Sequence, residues 1–131
     1  MKIFLGDKFT GANNKDRLET IKDILNKIGH TVFVGPLDID DYGRNPIPPE
    51  DFMKLVFEEI KKSDIVLIKH TKASTGMGIE SGYAKALGKK LIVLYPSHTE
   101  QKSNSLEGIA DNVIEYSDFE ELKIKLIDVL E

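Results

Sequence analysis

The sequence of 131 residues contains no cysteine, and its three histidines, His30, His70 and His98, are scattered along the chain. Without cysteine there are no disulfides and no thiolate metal sites, which is compatible with a reducing cytoplasm. The histidines also lack the spacing of metal ligands. We therefore expect a cytoplasmic protein without a metal site.

Long apolar runs and blocks of basic residues are also missing. No run approaches the roughly 20 apolar residues that span a bilayer, and MKIFLGDKF at the start has too short an apolar stretch for a signal peptide. The formal net charge is −4, so we expect neither a membrane protein nor a binder of duplex nucleic acid. A local site can still bind a small anion on an acidic protein.

Short apolar runs alternate with helical patterns along the chain, whose length suits a single domain covering residues 1–131. Strands are predicted at residues 2–6, 30–35, 63–69, 91–96 and 112–116, and helices at residues 15–28, 48–62, 78–90 and 118–131. Residues 36–51, which hold four of the five prolines, and the polar residues 97–111 are predicted as loops, the second with room for one helical turn.

This alternation predicts an α/β fold with a doubly wound, five-stranded parallel sheet covered by helices on both faces. We favour the flavodoxin-like strand order 2-1-3-4-5, in which ligands bind beyond the carboxyl ends of strands 1 and 3. Two loops should meet there, GDKFTGAN (residues 6–13) and HTKASTGMGIE (residues 70–80). We expect Gly6 and Asp7 of the first loop to contact the ligand.

The second loop combines small residues, hydroxyls and a single acid. Gly76 and Gly78 would let the backbone approach a ligand, and Ser74 would add a hydroxyl donor beside helix N–H groups that attract anions. Glu80 is expected in the first helical turn, where its carboxylate could project into the cleft. An acid placed there only to interact with the helix dipole explains Glu80 equally well. The stretch is neither a P-loop nor G-x-G-x-x-G.

Residues 63–96, SDIVLIKHTKASTGMGIESGYAKALGKKLIVLYP, resemble the signature of the nucleoside 2-deoxyribosyltransferase family, which includes the 2′-deoxynucleoside 5′-phosphate N-hydrolases. The family pattern is an S/A-D with an apolar strand, then G-x-x-x-E-x-G-x-A, then A-x-G-K and another strand. The matching positions are Ser63, Asp64, Gly76, Glu80, Gly82, Ala84 and residues 86–89. The likeness extends to KIFLG at the start, and the chain has the family's usual size.

The resemblance implies the same α/β fold and an enzyme that acts on a small nucleoside or nucleotide without a cofactor. The family glutamate, here Glu80, is the nucleophile that attacks C1′ and displaces the base. A carboxylate suits this reaction, because the transition state is oxocarbenium-like and a covalent ester divides one difficult step into two. Water then releases the sugar, or a second base accepts it.

Two serines relate the sequence to the branch of the family that hydrolyses 5′-monophosphates. Six residues before the glutamate, the transferases resemble one another in carrying Asp, whereas the hydrolases carry Ser, and here the residue is Ser74. SNSLEGIAD (residues 103–111) resembles a hydrolase segment whose leading serine, here Ser103, reaches the phosphate bound by a neighbouring subunit. That implies at least a homodimer. Ser103 is equally well explained as a solvated loop serine.

The sequence departs from the family at its supporting residues. We match the family tyrosine of strand 1 to Ile3 and the aspartate that assists the leaving base to Val56. Glu59, Tyr42 or Asp7 could substitute for that aspartate. No residue clearly matches the phosphate-binding arginine of the first loop, for which the polar alternatives are Lys8, Thr10 and Asn13.

Four hypotheses follow, and they differ in activity. The favoured one is an N-glycosidase of nucleoside 5′-monophosphates, and the second is a deoxyribosyltransferase acting on free nucleosides. The third is a nucleotide-binding protein that has lost catalysis, as Ile3 and Val56 suggest. A phospho-acceptor receiver domain fits worst, because Lys69 and His70 end strand 3 without an aspartate. We expect Asp64 to cap or pair and Tyr83 to pack.

Overall fold

The chain alternates strands and helices from end to end, as the apolar runs predict. A computed structural model describes residues 1–8 and 12–131. Within this part of the chain, the strands are β1 (Lys2–Asp7), β2 (Thr31–Val34), β3 (Ile65–Lys69), β4 (Lys90–Pro96) and β5 (Asn112–Tyr116). The helices are α1 (Ala12–Lys27), α2 (Gly35–Asp38), α3 (Pro49–Lys62), α4 (Thr75–Ala86), α5 (Asn104–Ile109) and α6 (Phe119–Leu130).

The strands form one all-parallel sheet in the order β2-β1-β3-β4-β5, which confirms the predicted fold class and strand order. Strands β1 and β3 are neighbours, with Gly6 paired to Ile68 and Asp7 paired to Lys69. Both strands therefore end at the same level of the sheet. The connections leaving them diverge there, which creates the crevice where α/β sheets bind ligands.

Helices cover both faces of the sheet, and each face has its own apolar core. Leu18 of α1 and Leu122 of α6 pack on the face that carries Ile3 and Leu5. Helices α3, α4 and α5 pack on the face that carries Phe4. Alternate residues of β1 thus point to opposite cores. All five residues of β3 are buried, as expected for a central parallel strand.

Three helices begin or lie where the sequence analysis did not place them. Helix α2 lies inside the predicted loop at residues 36–51, with Pro36 in its first turn and the Asp38 carboxylate accepting a hydrogen bond from the Val34 N–H at 2.7 Å. Helix α1 begins at Ala12 rather than at residue 15.

Helix α4 begins three residues before the predicted start, because the side chain of Ser74 caps it by accepting a hydrogen bond from the Met77 N–H. This cap places Glu80 in the second turn of α4. The expectation that Glu80 lies in the first helical turn is therefore wrong.

Candidate active site

A cavity of about 240 Å³ lies beyond the carboxyl end of β1, between the segment that joins β2 to α3 and the first turns of α4. Its polar lining residues are Asp7, Lys8, Asp40, Tyr42, Ser74 and Glu80. Its apolar wall consists of Pro36, Ile39, Phe52, Val56 and Met77. The cavity therefore combines an apolar wall with a few polar groups, as small-molecule sites do.

Four of the predicted site residues line this cavity: Asp7, Ser74, Gly76 and Glu80. Gly6 lies against the carboxyl group of Glu80, immediately beside the cavity. Gly78 is exposed on α4 and is not a lining residue, and a Cβ there would meet open space. The close backbone approach that we expected from Gly78 therefore has no counterpart in this cavity.

Ser103 lies outside the cavity of its own chain. Its hydroxyl caps α5 by accepting a hydrogen bond from the Leu106 N–H at 3.1 Å. Its own N–H donates to the Tyr95 hydroxyl at 2.9 Å. Ser103 is thus a helix cap within the chain, and any contact that it makes with a ligand must be to one bound elsewhere.

Glu80 is half-buried at the wall of the cavity. Burial, and then the charge of the nearby Asp7, raise the pKa of Glu80 from its usual range to about 8. An acid placed only to interact with the helix dipole would be solvated in the first turn and would have a lowered pKa. The geometry of Glu80 is that of a cleft carboxyl group, which is typical of functional sites.

Gly6 makes the position of Glu80 possible. A Cβ added at residue 6 would lie 2.7 Å from Oε1 of Glu80 and 3.0 Å from Cδ1 of Ile68. Any side chain at residue 6 would therefore push the carboxyl group of Glu80 away from the end of β1. The glycine of KIFLG is needed for this close approach rather than for a turn.

Asp7 contributes a second carboxyl group, which is paired with a buried lysine. Nζ of Lys69 lies 3.0 Å from Oδ2 of Asp7 and 3.1 Å from Oδ1 of Asn14, which is on α1. Burial raises the pKa of Asp7, whereas Lys69 opposes that rise. The sequence analysis did not identify Lys69 as a site residue. The available signal was a lysine closing an apolar run that is buried on both faces of the sheet.

The lining of the cavity also carries donors suited to an anion. Ser74 and Gly76 lie there at the start of α4, where helix N–H groups point outward. Lys8 also lines the cavity, and its Nζ lies 3.4 Å from the Ala73 carbonyl oxygen. Of the alternatives considered for a phosphate contact, Thr10 and the side chain of Asn13 lie outside the described residues.

Tyr42 enters the cavity from a segment with unusual backbone geometry. Asp41 and Tyr42 have φ angles of 48° and 57°, in the left-handed region that non-glycine residues seldom adopt. Burial and neighbouring acids, Glu19 foremost, raise the pKa of Tyr42 to about 12. Its hydroxyl group is therefore neutral at physiological pH.

The structure also tests the residues that depart from the family pattern. Ile3 packs in the core on the α1 and α6 face, away from Glu80, so the residue of β1 that shares the face of Gly6 is Phe4. Our match of the family tyrosine to Ile3 is therefore wrong, because Ile3 lies on the face of the sheet that is turned away from Glu80. Val56 does line the cavity and is apolar.

The residues proposed to substitute for the family aspartate differ in whether they line the cavity. Glu59 pairs with Lys2 at 2.8 Å and with Lys62 at 3.5 Å, and it is not among the cavity residues. Asp7 and Tyr42 remain as polar groups in the cavity. Glu59 is therefore unsuited to act on a ligand bound there.

Other residues have structural roles. The carboxylate of Asp64 accepts a hydrogen bond from the Lys2 N–H at 2.9 Å, as expected of a pairing residue. Tyr83 packs against Phe57 with ring centroids 4.3 Å apart, as predicted. His70 is buried at the end of β3, with Nε2 2.8 Å from the Gln101 carbonyl oxygen.

Residues 1–8 and 12–131 contain no group of three His, Asp or Glu side chains that could hold a metal ion. No helix in these same residues is both long enough and apolar enough to cross a bilayer.

The chain is similar to proteins that act on nucleosides and nucleotides. A family model of nucleoside 2-deoxyribosyltransferases matches residues 4–118. The structure of the CMP N-glycosidase BcmB from Clostridium botulinum is 26% identical, with a TM-score of 0.68 over 97% of this chain and 99% of that chain. No curated protein matches the sequence.

Two further solved structures share the fold at lower identity. A 2-deoxyribosyltransferase from Bacillus psychrosaccharolyticus is 20% identical, with a TM-score of 0.73 over 94% of this chain and 90% of that chain. A conserved protein from Enterococcus faecalis is 13% identical, with a TM-score of 0.68 over 96% of this chain and 98% of that chain.

The raised pKa of Glu80 makes stability depend on pH. The folded protein keeps a proton that the unfolded chain releases, so this group costs stability as pH rises from about 4.5 to about 8. Glu80→Gln removes the cost. We expect its melting temperature to match that of the unsubstituted protein near pH 4.5 and to exceed it near pH 8 by roughly 3 °C or more, about 1 kcal/mol.

Calorimetry across this pH range checks the prediction, with Glu120→Gln on the exposed surface of α6 as the matched control. A difference between Glu80→Gln and the unsubstituted protein that stays constant with pH would contradict the burial of an ionisable Glu80.

Proposed function

Because the chain belongs to the nucleoside 2-deoxyribosyltransferase family, we propose that it cleaves the N-glycosidic bond of nucleoside 5′-monophosphates, with Glu80 as the nucleophile. One observation carries this proposal. The half-buried Glu80 has its carboxyl group against Gly6 at the carboxyl end of β1, in a cavity whose lining also offers hydrogen-bond donors and a lysine. Family members are enzymes of this chemistry, either glycosidases or transferases.

The reaction follows from the position and protonation of Glu80. As Oε1 or Oε2 of Glu80 forms a bond to C1′, the bond from C1′ to the base breaks. The proton that Glu80 holds at neutral pH balances the one that the departing base needs. Water then attacks C1′ of the resulting ester, so that Glu80 regains a proton and sugar 5-phosphate leaves. As its proton passes to the base, the Glu80 carboxyl group becomes a carboxylate, which stabilises the developing positive charge of the oxocarbenium-like transition state.

Two sets of lining residues would hold the two parts of a nucleotide. Ser74, Gly76 and Lys8 suit the 5′-phosphate, because they combine a hydroxyl, helix N–H groups and a cation. A carboxylate at position 74 would repel the same phosphate. The apolar wall formed by Ile39, Phe52 and its neighbours suits the flat face of a base. The sugar, which joins the phosphate to the base, then lies at Glu80.

The comparisons support this assignment without distinguishing the branches. The Clostridium botulinum relative is by name a CMP N-glycosidase, and the alignment covers nearly all of both chains. The Bacillus psychrosaccharolyticus relative is by name a deoxyribosyltransferase with the same fold. It makes base exchange between free nucleosides the second candidate function.

Loss of catalysis is the third candidate. The positions where supporting polar residues would be expected are apolar, namely Phe4 on β1 and Val56 on α3. A protein of this kind would bind nucleotides and release no base.

A homodimer is part of the proposal. Leu55 on α3 and Ile79 on α4 are exposed apolar side chains on neighbouring helices, and a second copy would cover them. Ser103, which lies outside its own cavity, would then contact the phosphate held by the partner, as the resemblance implies.

Base release measured by chromatography tests the proposed function. Ribo- and deoxyribonucleosides and their 5′-monophosphates form the substrate panel, each with and without a second free base. We expect release from monophosphates alone, and a loss of at least about a thousandfold in Glu80→Gln, because the variant lacks the nucleophile. Glu120→Gln is the matched control and should keep full activity.

Release that requires a second base would move the protein to the transferase branch. No release from any substrate, with nucleotides still raising the melting temperature, would establish the binding protein instead and would contradict the role of Glu80.

Gly6→Ala tests the position of the nucleophile. The added methyl group displaces the carboxyl group of Glu80, so we expect kcat to fall at least about tenfold while the protein stays folded. Gly82→Ala on α4 is the control, because a Cβ there meets no atom within 4 Å. Steady-state kinetics and circular dichroism of both variants give the comparison. Equal kcat in Gly6→Ala and the unsubstituted protein would show that Glu80 does not react from this position.

A further inference from the structure

A lysine is buried almost completely beside the candidate active site. The side chain of Lys69 is 1% exposed, and so is that of its ion-pair partner Asp7. A buried ammonium group is costly unless it is paired and hydrogen-bonded. Lys69 meets this requirement through Oδ2 of Asp7 at 3.0 Å and Oδ1 of Asn14 at 3.1 Å.

The network is fixed from three elements. Lys69 and Asp7 are paired residues of neighbouring strands β3 and β1. Asn14 of α1 completes the network, because its Nδ2 also donates to the Lys8 carbonyl oxygen at 2.6 Å. The charges of Lys69 and Asp7 are therefore held in place by the sheet and by a long helix, rather than by a surface loop.

The side chains of Asp7 and Lys69 lie on the α1 side of the sheet, whereas Glu80 approaches β1 from the α4 side. Residues 3 and 5 of this strand pack on the α1 face and residue 4 packs on the α4 face. By the same alternation, Asp7 points toward Asn14 and Lys69, whereas Gly6 faces Glu80. Asp7 and Glu80 both line the cavity. Among the described residues, Lys69 is the lysine with a buried side chain and it pairs with Asp7, whereas no ion pair joins Glu80 to a cation.

We propose that Lys69 is a positioning residue. Its ammonium group keeps Asp7 ionised, and the negative charge of Asp7 keeps Glu80 protonated until substrate binds. The inference rests on the proposed function and assigns the protonation of its two carboxyl groups. Two carboxyl groups in one dry site do not both ionise readily, so the group with the cation takes the charge.

The assignment gives each proton a place in the reaction. In the first step the Glu80 proton goes to the base nitrogen, as the bond from C1′ to that nitrogen breaks and the bond from C1′ to the Glu80 oxygen forms. Asp7 stays charged throughout, and its negative charge beside the cavity favours the positive charge that develops at C1′. In the second step water supplies a hydroxyl group to C1′ and a proton to Glu80, which restores the starting state.

Other charged and titratable groups surround this network. Within the described residues they are Lys8, Asp40 and Tyr42 at the cavity, and Arg17, His98 and Tyr116 on the α1 side. Burial and then the charge of Asp7 raise the pKa of Tyr116, and burial, then the charges of Arg17 and Lys69, lower the pKa of His98. The variants below leave all six in place.

The titration of Glu80 tests the inference directly. It is followed by NMR of carboxyl groups in protein labelled with carbon-13 glutamate, with the Glu80 signal identified by its absence in Glu80→Gln. We expect the midpoint to fall by about one pH unit or more in Asp7→Asn, because the neighbouring charge is gone. Lys69→Met should give the same direction, since Asp7 without its cation takes up a proton.

A double variant separates the indirect effect of Lys69 from a direct one. Adding Lys69→Met to Asp7→Asn should cause no further fall in the Glu80 midpoint. Lys85→Met, which removes a partly exposed lysine paired with Asp111, is the matched control and should leave the midpoint unchanged. If Lys69→Met does not fold, Lys69→Gln keeps a hydrogen-bonding side chain in the same place.

The outcomes are distinguishable from failure of the proposed function. A Glu80 midpoint unchanged in Asp7→Asn, or unchanged in both Lys69 variants, would overturn the inference whatever the activity. If the midpoint falls as expected, the alkaline limb of the pH profile for base release should move to lower pH in the same variants, because Glu80 must hold its proton to react. If the midpoints are as expected but none of these proteins releases a base, the charge assignment is supported and only the proposed reaction is overturned.

Discussion

A buried ion pair between Lys69 and Asp7 at the ends of β3 and β1, beside the half-buried carboxyl group of Glu80, constrains the rest of the site. Because Lys69 pairs with Asp7, the half-buried Glu80 has no ion-pair partner within the part of the chain that the structure describes. Such an arrangement costs stability and is tolerated only where surrounding structure enforces it. Here the sheet register enforces it, since Asp7 and Lys69 are paired residues of adjacent central strands.

The parallel sheet explains why the site is where it is. Strand β1 runs between β2 and β3, and the connections that leave β1 and β3 diverge on opposite faces. That divergence opens a cavity above Gly6, and the absence of a side chain at Gly6 lets Glu80 of α4 reach the strand end. The helix cap at Ser74 then sets which residues of α4 face the cavity.

Much of this arrangement follows from sequence periodicity, and the remainder depends on contacts between distant residues. Apolar runs predict the strands and their order, and the Gly-x-x-x-Glu spacing leads to Glu80. The role of Lys69 could not be predicted, because its partners Asp7 and Asn14 lie 62 and 55 residues away in the sequence. The match of the family tyrosine to Ile3 has the wrong face, because the face of a strand residue depends on the packing of both helical layers. The start of α4 was misplaced because two glycines there resemble a loop until Ser74 is seen to cap it.

The central claim is that Glu80 forms a covalent bond to the sugar. Mass spectrometry of protein quenched in acid during turnover of a 5′-monophosphate, followed by peptide mapping, measures this most directly. We predict a sugar phosphate ester on the peptide that contains Glu80, absent in Glu80→Gln and in protein without substrate. Base release under the same conditions with no adduct on that peptide, even with a slowly hydrolysed 2′-fluoro substrate, would contradict the claim.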